Sequence, residues 1–174
     1  MRKTFLGAAA VIAGFALAAP VFAADAPEII SQPVAENMPF FIPYGTPITL
    51  EEARKVIAKA QSEASKHNWR LACAVVEPTG ELVMFEKMDD TQYASVEIAL
   101  AKAKAAARFR RSIKAFQDVV KGGNAAPLSY PGMVAGEGAF PIVKAGKMIG
   151  AIGCSGAASN QDAVAAFAGS EEIK

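Results

Sequence analysis

The stretch Gly146-Lys147-Met148-Ile149-Gly150-Ala151-Ile152-Gly153-Cys154-Ser155-Gly156, with Phe140-Pro141-Ile142-Val143 just before it, decides the fold. Two apolar runs flank Ala145-Gly146-Lys147, which spells a β-hairpin with a glycine-containing loop. The second run carries Gly150 and Gly153, so side chains are missing where a central strand would normally pack. Glycine inside a strand marks a bulge or the close approach of another backbone. Two readings follow: a helix packed tightly on the sheet, or a ligand lying against bare backbone.

Working back toward the N-terminus, residues 124–138 form a long loop with Pro127, Tyr130, Pro131, Gly132 and Gly136. Loops of that length in compact domains often carry function. Before it, a helix over residues 92–110 is expected, with Met88-Asp89-Asp90-Thr91 as its cap. Its small residues fall on two faces, which predicts close packing on more than one side. Lys102, Lys104, Arg108, Arg110 and Arg111 crowd its C-terminal half, where cations favour the helix dipole. Ser112 is placed to cap a short further helix that ends at Gly122-Gly123. Residues 70–76 and 81–87 predict two strands joined by the turn Glu77-Pro78-Thr79-Gly80. Thr49-Leu50-Glu51-Glu52 is a capping box opening a helix that stops near Lys66 or His67. A last helix covers residues 161–168. Helices and strands in this order, with hairpins in place of crossovers, imply an α+β fold: an antiparallel sheet with helices packed on it.

The front of the chain differs. Residues 1–24 have the pattern of a signal peptide: Arg2 and Lys3, an uncharged apolar run, then small residues at a cleavage site. Residues 25–47 hold Pro27, Pro33, Pro39, Pro43 and Pro47, a density that forbids helix or central strand. This segment is expected as a linker or arm, and its apolar part, residues 38–44, is expected to lie across the domain or a neighbouring subunit. The remaining body, residues 48–174, is large enough for one domain with a core. Export places the protein in the periplasm or outside the cell, with no stable membrane insertion after cleavage. Without Arg2 and Lys3 the formal charge is about −1. No basic patch survives, so nucleic acid is not an expected partner.

His67 is the only histidine, which excludes a Ser/His/Asp triad and a multi-histidine metal site. One histidine still suffices as an axial haem ligand, although a helix C-terminus gives it a plainer role against the last carbonyls. Met88 is a thioether donor or a gap filler. Arg108, Arg110 and Arg111, with Tyr130 nearby, are candidates to receive carboxylates. Cys73 and Cys154 fall in the first and last predicted strands; export would let a disulfide persist, but a bridge needs good geometry, and two buried thiols are the favoured expectation of the two. No pair of carboxylates or phosphate loop stands out, so an enzyme ranks behind a binding protein.

The order of these pieces resembles the GlcG/HbpS family (DUF336). The matching residues are Ile48-Thr49-Leu50-Glu51-Glu52-Ala53, Ala74-Val75-Val76 with Gly80, Met88-Asp89 and Lys102-Ala103-Lys104-Ala105-Ala106. They continue with Pro141-Ile142, residues 150–156 and Gln161-Asp162. The resemblance implies a profilin-like, five-stranded antiparallel sheet flanked by helices, homo-oligomers, and haem as a possible cofactor. Where relatives have Pro-Thr after the long helix, this chain has Ser112-Ile113, and Ser112 keeps a hydroxyl one place away. The combined candidate set for a haem or another small acidic ligand is His67, Met88, Arg108, Ser112 and Tyr130.

Overall fold

The computed structural model describes Met38 and residues 41–174. The expected signal peptide and residues 25–37, 39 and 40 of the linker lie outside the described residues. The capping box forms: Thr49 Oγ1 accepts from the Glu52 amide, and the Glu52 carboxylate accepts from the Thr49 amide. It opens helix α1, Leu50–Lys66. Strands β1, Ala72–Val76, and β2, Leu82–Lys87, follow. Helix α2 runs Ser95–Phe109 and helix α3 Lys114–Lys121, then a short 3-10 turn spans Ala126–Ser129. Strands β3, Ala139–Lys144, and β4, Lys147–Ser155, precede helix α4, Ser159–Ser170.

The strands form one antiparallel sheet in the order β2-β1-β4-β3. The β3–β4 turn is Ala145-Gly146, both with positive φ (+50° and +74°), the two-residue geometry that matches strand twist. Strand β4 is central and buried over eight of its nine residues. Alternation along the strands sends Cys73, Val75, Ile152 and Cys154 to one face, against Val56, Ile57 and Ala60 of α1 and Ala165 and Ala166 of α4. The intervening Ala74, Val76 and Ala151 meet Ala103, Ala106 and Ala107 of α2 on the other.

Gly153 settles the choice left open by the sequence. A Cβ there would stand 2.4 Å from the Ala103 nitrogen and 2.5 Å from the Ala99 oxygen. The bare backbone of β4 is occupied by α2 itself, and the alanines of α2 are what let the helix come so close. At Gly150 a Cβ would meet the Val76 oxygen at 2.5 Å. The strand glycines are packing residues.

Three expectations are corrected. Four strands are present among the described residues, not five. The arm supplies a partial substitute: Tyr44 makes a parallel bridge to Met148, with hydrogen bonds from Met148 N to Pro43 O and from Gly45 N to Met148 O, both 2.8 Å. Helix α2 begins at Ser95 with no side-chain cap, because residues 89–94 are spent on turns and Asp90 takes φ +62°. Cys73 and Cys154 are joined in a disulfide rather than left as thiols. They sit directly opposite each other on β1 and β4. The Cys154 amide bonds Gly138 on the far side, so toward β1 the pair is a non-hydrogen-bonded one, the position where cross-strand side chains stand closest. Their Cα atoms are 4.2 Å apart.

Candidate functional site

Helix α2 carries most of the clustered basic residues, and the structure divides them. In its middle, Lys102 is buried. Its ammonium donates to Asp162 Oδ2 of α4 at 2.9 Å and to the Cys154 carbonyl at 3.2 Å. That carbonyl lies where β3 has run out, so the lysine replaces a strand partner. Asp162 Oδ1 accepts from the Ala157 amide at 3.0 Å. Burial pushes the Asp162 carboxyl up, and the Lys102 hydrogen bond pulls against it. Every polar atom here has a partner inside the fold, which makes the pair a structural tie between α2, α4 and β4.

At its end the helix behaves differently. Arg110, the C-cap, takes a left-handed conformation (φ +52°, ψ +39°), which turns the chain outward and sets Arg110, Arg111 and Ser112 along the lip of a groove. The groove is about 290 Å³. Its walls are Phe140, Pro141 and Val143 of β3, Phe167 of α4, and Phe41 and Ile42 of the arm. Ser170 and Glu171 close the end of α4. Phe140 and Phe167 stand edge to face at 5.4 Å, and Phe167 is half exposed. Arg110 Nη1 donates to the Ile42 carbonyl at 3.3 Å. Arg111 lies 4.8 Å over the Phe116 ring and its Nε donates to the Phe109 carbonyl at 3.3 Å. Burial, then the charge of Arg110, pushes the Arg111 guanidinium down from its ordinary value. The N-cap of α3 is Ile113 with no side-chain cap bond, so Ser112 does not cap the helix as expected; its Oγ accepts from the Lys114 amide at 3.3 Å just before the helix, and its hydroxyl proton is still a donor. The groove thus joins aromatic faces to two cations and a hydroxyl.

Of the candidates read from the sequence, Ser112 lines this groove. Arg108 and Tyr130 stand around the same helix end without lining it. Arg108 is exposed and its Nε donates to the Thr79 carbonyl at 3.3 Å. Tyr130 lies 6.4 Å from the Phe109 ring. His67 is elsewhere. It caps α1, stacks on Trp69 at 4.4 Å, and stands 3.6 Å from Glu63. Met88 packs against the core cluster under α1 and α4. The structure does not bring these two to the groove. Ile113 is fully buried and does not line the groove. Phe41 and Phe167 were not among the sequence candidates, because nothing local distinguishes a groove phenylalanine from a core one. Among the described residues no group of three or more His, Cys, Asp or Glu side chains is placed to hold a metal ion, and no helix is long and apolar enough to cross a membrane.

The family model described as haem degrading protein HbpS-like matches residues 48–171. The chain belongs to the HbpS-like family. Protein GlcG of Escherichia coli K12 is 36% identical over 108 residues, 62% of this chain and 81% of that relative. A crystal structure of HbpS superposes with a TM-score of 0.69 at 26% identity, over 81% of this chain and 99% of HbpS. A crystal structure of a PduOC:heme complex superposes at 0.67 and 22% identity, over 74% and 96% of the two chains, and shows the shared fold. The antiparallel sheet with helices on both faces is therefore the HbpS-like fold, and the family places this chain among haem-related proteins.

Proposed function

We propose that this HbpS-like chain is an exported protein that binds haem or a related acidic tetrapyrrole in the groove at the end of α2. The observation that carries the reading is the pairing of aromatic walls, Phe140 and Phe167, with Arg110, Arg111 and Ser112 at one lip. A flat apolar ring with carboxylate tails needs both. The relative solved with heme lends support through its fold. At about 290 Å³ the groove lies just below the usual size of ligand pockets, roughly 300–1,000 Å³. It takes one edge of a macrocycle and leaves the rest to solvent or to a second copy of the chain.

The donors fit the carboxylates better than the iron. Ser112, Ser170 and Glu171 offer oxygen, while the only imidazole, His67, belongs to α1. Haem would supply redox and ligand-binding chemistry when bound. What this chain contributes is the apolar wall and charge-assisted hydrogen bonds to the acidic edge. Export is supported by the buried Cys73–Cys154 bridge, since disulfides persist in oxidising compartments.

Hemin added to the purified protein is expected to shift the Soret band at micromolar concentration. No shift, with the protein folded, would remove the reading. The small groove volume favours one other ligand class, a small organic acid on the same basic lip. Thermal stabilisation by glycolate-like acids and not by hemin would select it. Loss of the Soret band under a reductant would add turnover to binding. Mass spectrometry of the protein from a periplasmic fraction tests export, with residues 1–24 expected to be missing.

A further inference from the structure

Arg110 is an uncommon residue at its position. Helix C-caps in the left-handed region usually carry glycine, because a Cβ there is strained. The strain has an identifiable return. The guanidinium reaches the arm through three contacts: the hydrogen bond to Ile42 O, the Phe41 ring at 5.6 Å and the Tyr44 ring at 5.1 Å. From Pro43 onward the arm is pinned to β4 by backbone hydrogen bonds. Phe41 and Ile42 lie upstream of that ladder. They are nonetheless part of the groove wall.

We infer that Arg110 is a latch: it holds Phe41 and Ile42 down as a strap along one side of the ligand groove, with Pro43 as the pivot. The inference rests on reading the groove as a ligand site. It makes Arg110 a positioning residue for the arm in addition to its place in the basic lip of the groove. Phe41 is still 64% exposed, so the strap has surface left to bury, and a flat apolar ligand against it favours the latched position. By linkage, the latched arm then raises the affinity for that ligand.

Substitution to glycine separates the latch from a merely structural role, because it relieves the backbone while removing the clasp. Chymotryptic cleavage after Phe41, followed by mass spectrometry without ligand, is expected to be about tenfold faster in Arg110→Gly than in wild type, while cleavage after the pinned Tyr44 stays unchanged. The melting temperature should be equal or higher. Arg110→Lys, which keeps the charge without the planar fork, should fall between. Hemin is expected to slow cleavage of the wild type and to lose that effect in Arg110→Gly. Equal cleavage of all three proteins overturns the latch. So does faster cleavage of Arg110→Gly with a lowered melting temperature, which would make Arg110 a structural residue. If hemin fails to bind wild type while Arg110→Gly still frees its arm, the tetrapyrrole reading falls and the latch stands. If hemin binds and the cleavage rates agree, the latch falls alone.

Discussion

The middle and the end of α2 carry the same kind of charge and do opposite things with it. Lys102 is enclosed, and its ammonium is taken up by Asp162 and the Cys154 carbonyl. Eight residues on, Arg110 and Arg111 stand where the helix has left the sheet, donating to the Ile42 and Phe109 carbonyls beside phenylalanine rings at the rim of an open groove. Position relative to the sheet, more than residue type, separates a structural cation from a ligand-facing one. A buried charge must be paired within the fold, so it has nothing to offer a ligand. A charge at a rim can trade solvent for a ligand's carboxylate.

The sharpest way to break this contrast is at Lys102. Lys102→Ala leaves Asp162 buried without its cation and is expected to cost about 3–5 kcal/mol in denaturant unfolding. The double change Lys102→Met with Asp162→Leu should recover most of that loss, since no charge is then buried alone. A Lys102→Ala protein as stable as wild type would show that the pair is not a tie. At the helix end the pattern reverses. Arg111→Ala should leave stability within about 1 kcal/mol and weaken hemin about tenfold by optical titration, the loss of one charge-assisted hydrogen bond. Equal hemin affinity in Arg111→Ala would move the acidic edge of the ligand away from this lip.

How much of this could be seen in the sequence depends on the range of each interaction. The capping box at Thr49, the Ala145-Gly146 turn and the end of α3 at Gly122 are set by residues within four positions of each other, and all were legible. The start of α2 lies three residues later than expected because Met88 to Thr91 resemble a cap in composition, while the chain makes turns up to Ala94 before the helix begins. The disulfide and the Lys102–Asp162 tie join residues 81 and 60 positions apart. Both exist only because β1 and β4 are neighbours and α4 returns over β4, facts of sheet order that local pattern does not carry. The site was half legible for the same reason. Arg110 and Arg111 announce themselves by charge and Ser112 by a hydroxyl just after the long helix, but Phe41, Phe140 and Phe167 come together from three distant elements.

A second charged pair calibrates the first. Lys144 meets Glu52 at 2.7 Å near the surface, at the first turn of α1. Its hydrogen bond is the main reason the Glu52 carboxyl is held at about 2 against an ordinary 4.5. The folded value lies below the unfolded one, so this stabilisation is present above about pH 4.5 and is lost as pH falls through about 2. Lys144→Ala should flatten the acid limb of a melting-temperature profile between those values. The change should be smaller than that at Lys102, because solvent screens an exposed pair. An unchanged profile would assign the shift to the capping hydrogen bonds of Thr49 instead.

Hemin iron is paramagnetic, so it reports its own position in a nitrogen–proton correlation spectrum. Titrated into isotope-labelled protein, it should broaden the amides of Arg110 to Ser112, Phe140, Val143 and Phe167, and leave those around His67 and Trp69 sharp. Broadening centred on His67 with the α2 end unaffected would contradict the groove as the ligand site.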